Sequence, residues 1–268
     1  DDNVVTELIT TDGMRTIVQY SFYNYAPLRR IVLNDCTTSI GACAFAKCNV
    51  ESITLGESIV SVGNLAFNEC HTEQLIIDGN IKPQTTTGST SRHWFSGIVA
   101  ENVTFTDNCS IVTEMLLSDI EMHNLSIAST VKEIRSGAFA GCKTLENVDF
   151  GSGLEYIGSH AFYGCATLTD IELPTSLTTI DGYAFKGCTG FESITIPASV
   201  NFIGEYAFYD CTNLREIYIE ATTPPTLGSD YVFDGHPDNQ KIYVPMATVD
   251  AYKSAPRWRR YAGQIYGY

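Results

Sequence analysis

Apolar positions recur along this chain every 23 residues, and each period holds two local patterns. Four consecutive units begin at Ile134, Ile157, Ile180 and Ile203. Each continues with an Ala-Phe pair (Ala138-Phe139, Ala161-Phe162, Ala184-Phe185, Ala207-Phe208) and then a cysteine, Cys142, Cys165, Cys188 or Cys211. An apolar triplet closes each unit: Leu145/Val148/Phe150, Leu168/Ile171/Leu173, Phe191/Ile194/Ile196 and Leu214/Ile217/Ile219. In "TDIELP" the alternation puts Ile171 and Leu173 inward and Asp170 and Glu172 outward, which is strand periodicity. Pro174 and Pro197 end their strands. "GYAFKGC" is too short for a full helix and predicts one helical or 3-10 turn.

The same register extends in both directions. Units from Ile40 and Val62 precede the four at a spacing of 22. Through the less regular stretch, Phe95 stands to Val103 as Phe45 stands to Ile53, and counting back 23 from Phe139, Val148 and Phe150 reaches Leu116, Leu125 and Ile127. The surplus residues fall in "NIKPQTTTGSTSR", a polar stretch that predicts a loop. Tyr23 with Ile31/Val32/Leu33 supplies a first turn, and Phe233 with "IYVP" a last. A single α/β solenoid of about ten turns therefore occupies residues 1–268, with caps over 1–20 and 245–268 and degenerate turns with the loop over 79–133. One turn alone buries too little apolar surface to offset the entropy of ordering it, so each must rest on its neighbours. Equivalent depths then demand equivalent residues.

The nine cysteines follow the same rule. No CxxC pair occurs, and Cys48, Cys70, Cys142, Cys165, Cys188 and Cys211 form one inward column of free, buried thiols. Side chains stacked in parallel point the wrong way for disulfides. Cys36, Cys43 and Cys109 lie outside the column.

The string carried by these units, IGxxAFxxCxxLxxIxLPxSLxxI, resembles the BspA-like leucine-rich-repeat family, also called the Treponema-type repeat. The match is specific over 134–220, good over 40–78 and weak over 79–133. The resemblance implies a right-handed superhelix with a parallel sheet on its concave face and the short helical turns opposite. It also implies a secreted or surface-exposed protein of a host-associated bacterium, with adhesion to host matrix proteins or other cells. The tail "KIYVPMATVDAYKSAPRWRRYAGQI" resembles the closing segment of such proteins from gut-dwelling bacteria.

Charge narrows the range of partners. With 31 acidic residues against 16 basic, the net charge of −15 opposes binding to nucleic-acid phosphates or an anionic membrane. No stretch of 18 apolar residues occurs, and "DDNVVTELITTDG" does not read as a secretory leader, so an extracellular or cell-surface location rests on the resemblance.

No GxSxG, P-loop, HExxH or dinucleotide fingerprint is present. His71, His93, His123, His160 and His236 are scattered, and Cys70 and His71, being consecutive, point apart. No enzyme, cofactor or metal site is expected.

The alternative to a pocket is a surface. Outward strand positions form two columns, Asn102/Asn124/Asn147/Asp170/Ser193/Glu216 and Thr104/Ser126/Asp149/Glu172/Thr195/Tyr218. Asp149, Asp170, Glu172 and Glu216 are expected to gather into an acidic patch flanked by Tyr218 and Tyr243. It reads either as a recognition surface for a basic partner segment or as a solvated face serving solubility. A bound Ca²⁺ is disfavoured, because one strand pair offers too few oxygens. Arg92-His93-Trp94 beside the loop, and Arg257, Arg259 and Arg260 around Trp258, are contact candidates; packing of the two tryptophans is the competing reading. The expected function is non-catalytic binding of a protein or glycan, from host matrix or mucus, by a monomer. The alternative is a spacer module of a larger surface protein. A poorly capped first turn would favour end-to-end pairing.

Overall fold

The computed structural model describes residues 4–81, 94–235 and 239–268. The chain winds as a parallel β-solenoid of about 11 turns, against about ten expected. Its broad side begins with eight parallel strands: Glu7–Ile9, Arg30–Leu33, Asn49–Gly56, Cys70–Asp78, Ile98–Phe105, Glu121–Ile127, Asn147–Phe150 and Asp170–Ile171. Ser193–Ile196, Glu216–Ile219, Lys241–Val244 and Ile265–Gly267 form a separate four-stranded sheet. The interruption falls where Phe191 takes the leucine position of the neighbouring units and packs its ring 5.9 Å from Phe185. Residues 4–20, expected as a cap, contribute the first strand, with Leu8 in register with Ile31. A second row of two-residue strands (Tyr156–Ile157 on Thr179–Ile180 on Phe202–Ile203, for example) runs along another side.

The Ala-Phe segments correct the sequence expectation. They are runs of turns, and helix among the described residues is confined to Met246–Thr248, Val249–Ser254 and Trp258–Gln264. The reason lies in the backbone. Two residues four apart take a left-handed conformation in these turns, as at His160 (φ 59°) and Gly164 (φ 71°), which no right-handed helix tolerates. The peptide groups therefore turn along the solenoid axis. His160, Phe162 and Gly164 donate their N–H groups to the carbonyls of Gly182, Ala184 and Lys186 in the next turn, at 3.0, 2.8 and 2.8 Å.

Phenylalanine rings fill the interior. Centroids are 5.2 Å apart for Phe139–Phe162, 5.3 Å for Phe162–Phe185 and 5.4 Å for Phe185–Phe208. The ring in the first turn is Phe22, stacked 5.5 Å from Phe45, and not Tyr23, which is exposed. Leu117 rather than Leu116 occupies the corresponding site further along, since its N–H bonds to the Ala138 carbonyl as Phe139 bonds to Ala161. The unit is thus one residue short before Leu125, which does pair with Val148. The thiol column is free and buried. Its sulfurs donate to carbonyls of the preceding turn: Cys165 to Phe139, Cys188 to Phe162 and Cys211 to Phe185, at 3.3, 3.2 and 3.1 Å. Cysteine suits the column because it is small and apolar, and its weak S–H donor adds a second hydrogen bond to a carbonyl that already accepts the N–H of the cysteine in its own turn.

Candidate functional site

Parallel pairing without slippage places outward residues of successive turns directly side by side. Gln74, Asn102, Asn124, Asn147 and Asp170 share one row. Their amides form a directional chain: Asn124 Nδ2 donates to Asn102 Oδ1 (3.1 Å) and Asn147 Nδ2 to Asn124 Oδ1 (2.9 Å). Asn102 Nδ2 in turn reaches the Glu73 carbonyl at 3.1 Å. The sequence shows the row, whereas the bonding within it needs the register.

The predicted acidic patch divides at the sheet interruption. Asp149 lies opposite Ser126, and it lines a depression of about 770 Å³ together with Asp107, Glu172, Ser152 and Thr175. Asp170 sits beside Asn147 in the amide row. Glu172 is exposed just past the two-residue strand Asp170–Ile171. Glu216 belongs to the other sheet, in register with Lys241, and accepts the Tyr218 hydroxyl at 3.1 Å. Tyr218 and Tyr243 stack at 4.8 Å, and the cluster continues to Tyr268, edge-on to Tyr218 at 6.2 Å, and Tyr266, 6.2 Å from Tyr243. Desolvation first, and Glu216 second, raise the Tyr218 phenol above its ordinary range. The site is thus a carboxylate-lined hollow and a separate tyrosine cluster along one broad side.

A second aromatic row escaped the sequence reading. His160, Tyr183, Tyr206 and Tyr231 stack at 4.7, 5.1 and 5.7 Å, with Lys186 Nζ 4.9 Å from the Tyr209 ring centroid. The 23-residue spacing of positions 160, 183 and 206 was the available signal.

Among the described residues no group of three or more metal-ligating side chains comes together. Cys70 is buried and His71 exposed on opposite faces of their strand. Burial pushes the thiols of Cys70, Cys165 and Cys211 up to about 12, the reverse of what a nucleophile needs. Ser159 Oγ lies 2.8 Å from His160 Nδ1, but the two are sequence neighbours and the imidazole is stacked on Tyr183. Trp94 is half-buried against the core, and Trp258 is buried with Nε1 donating to the Pro225 carbonyl at 2.7 Å. Arg257, Arg259 and Arg260 stay exposed, Arg260 pairing with Asp234 at 2.5 Å. Arg92, His93 and His236, with most of the predicted loop, lie outside the described residues.

These features define a repeat scaffold whose parallel turns expose rows of side chains. The chain belongs to the family with a BspA type leucine rich repeat region, whose model matches six copies over residues 15–112, 80–190 and 110–238. No curated protein matches it. Among solved structures it is similar to the pneumococcal vaccine antigen PcpA, at 18% identity and TM-score 0.51, over 97% of this chain and 65% of that one. It is also similar to a leucine rich cell surface protein from Faecalibacterium prausnitzii (23% identity, TM-score 0.46, 80% of this chain). A T. pallidum leucine rich repeat protein gives 22% identity and TM-score 0.47, over 64% of this chain and 74% of that one. The chain spans 60% of the Faecalibacterium structure and 65% of PcpA.

Proposed function

We propose that this chain is a non-catalytic binding scaffold, displayed outside a bacterial cell, that engages a protein or glycan of host matrix or mucus along its broad parallel sheet. In this reading the solenoid is right-handed, the sheet lies on the concave side and the protein is a monomer. One observation carries it: within the outward row from Gln74 to Asp170, Asn102, Asn124 and Asn147 form a bonded amide chain, flanked by the Asp149/Glu172 hollow, a polar array already ordered before any ligand arrives. An array of this kind loses little conformational entropy on binding, so many weak contacts can add. Membership of the family and the surface location of the Faecalibacterium relative support the placement.

The test is capture on an array of host extracellular proteins and glycans, run beside a variant with Asp149, Asp170, Glu172 and Glu216 all changed to alanine. All four carboxylates are solvent-accessible, so the variant should fold. Selective loss of one captured ligand is the expected result. Identical recovery would dismiss the carboxylates, and no capture by either protein would favour the spacer role.

A further inference from the structure

The row of His160, Tyr183, Tyr206 and Tyr231 lies on the Ala-Phe segments and not on the broad sheet, and its backbone is unusual. The first three residues are left-handed, with φ of 59°, 60° and 54°. Gly137, 23 residues before His160, holds the same place in its own turn at φ 64°. Glycine takes that conformation freely, whereas a bulky side chain there costs free energy. The core does not require these rings. Phe162, Phe185 and Phe208 fill the interior two residues further on, while His160 is exposed and Tyr183 and Tyr206 are half-buried. Aromatic side chains held at a strained backbone position and left at the surface point to function rather than packing.

The surroundings of the row are asymmetric. The chain crosses it once per turn, so residues just before the rings fall on one flank and those just after on the other. The first flank carries Asp181, Glu205 and Asp230, with Glu205 Cγ only 3.2 Å from where a Cβ on Gly182 would stand. The second carries Tyr163, Lys186 and Tyr209, with Lys186 Nζ 5.7 Å from the Tyr183 ring centroid. Beyond them lies Gly164, where a Cβ would meet nothing within 4 Å, so the aromatic ridge stands beside open space. Arg260 lies over the Tyr231 ring at 5.0 Å and covers that end.

Spacing selects the occupant. The rings stand 4.7, 5.1 and 5.7 Å apart along the row. An α-helix laid along it advances about 5.4 Å per turn, so its residues i, i+4 and i+7 keep step with the rings. An extended strand repeats on one side about every 6.7 Å, and a polyproline helix about every 9 Å, and both lose step within three rings. A sugar needs a ring face, and here the faces cover one another, leaving edges and hydroxyls outward. We propose that this ridge docks an amphipathic α-helix of a partner protein, with apolar side chains at i, i+4 and i+7 over the rings and lysine or arginine along the edge that meets Glu205 and Asp230.

The probe is a labelled leucine-lysine peptide of about 18 residues with leucine at helical spacing, since shorter isolated helices are marginal. It is titrated into the full chain by fluorescence anisotropy, beside two peptides of the same composition, one shuffled and one with leucine at alternate positions. Saturable 1:1 binding of the first is expected, with the other two at least about tenfold weaker. Tyr183→Gly with Tyr206→Gly, which Gly137 shows the turn accepts, should weaken it about tenfold or more. Tyr206→Asn, which also tolerates a left-handed backbone, gives a single-site check, and Glu205→Gln should weaken binding a few-fold. Asp149→Ala with Glu172→Ala should leave it unchanged, which separates this ridge from the broad sheet. Equal binding of the three peptides, indifference to both tyrosine variants, or loss in the Asp149/Glu172 variant overturns the proposal. So does capture on a glycan array, without peptide binding, that the tyrosine variants abolish.

Discussion

Replacing Phe185 by alanine tests the stacking on which the whole molecule depends. The ring is fully buried, between Phe162 at 5.3 Å and Phe208 at 5.4 Å, with Phe191 at 5.9 Å on its flank. Buried Phe→Ala changes cost about 3–5 kcal/mol, and a ring sandwiched on both sides in a core that cannot collapse belongs at the upper end. Phe22 is only half-buried and stacks on Phe45 alone among the phenylalanines, so its loss should cost about 2 kcal/mol. Urea unfolding followed by circular dichroism gives both values. Because each turn touches only its neighbours, the central cavity should also lower the apparent m-value as the two halves begin to unfold separately. A loss below about 1 kcal/mol at Phe185, or equal losses at both positions, would refute the argument from stacking.

Native-state thiol labelling at pH 8 should proceed readily at the half-buried Cys36 and Cys43 and only on unfolding at the buried column. Fast labelling of Cys165 or Cys211, whose burial pushes the thiol up to about 12, would contradict this. The same shifts set an alkaline limit. A thiol whose folded pKa is raised from 9.0 to about 12 contributes its full stability below pH 9 and loses it as pH climbs toward 12, so melting temperature should fall across that window and be flat just beneath it. Gly204→Ala should destabilise severely, because a Cβ there would clash with the Gly182 backbone nitrogen; an unchanged melting temperature would show that the turns can separate locally. Arg260→Ala removes an exposed ion pair with Asp234 and should change stability by less than about 1 kcal/mol, as thermal melting would reveal.

The parts of the fold legible in the sequence are those that repeat at fixed depth. Phe139, Phe162, Phe185 and Phe208 announce a common column because each must meet the same neighbours. Where spacing changes, counting slips by one residue: Leu117 and Phe22 hold the sites that a constant 23 or 22 assigns to Leu116 and Tyr23. A count carries no information about which side of a one-residue deletion a position lies on, whereas hydrogen bonding does. The expected helical turn failed for a different reason. "GYAFKGC" has residues compatible with helix, but stacked neighbours offer carbonyls to its alternate N–H groups, and that bonding selects the left-handed backbone at Tyr183 and Gly187.

The candidate surface divides along the same line. Alternation of apolar and polar letters determined that Asp149, Asp170, Glu172, Glu216, Tyr218 and Tyr243 face outward, because burying a strand's other side is a local demand. Whether they meet is a matter of inter-strand register and continuity, which no single turn encodes. The gap between Asp170–Ile171 and Ser193–Ile196 separates Asp149 and Glu172 from Glu216, and Lys241 faces Glu216 from the neighbouring strand. The letters of one turn prescribe depth; only the stack of turns prescribes adjacency and the direction in which every peptide points.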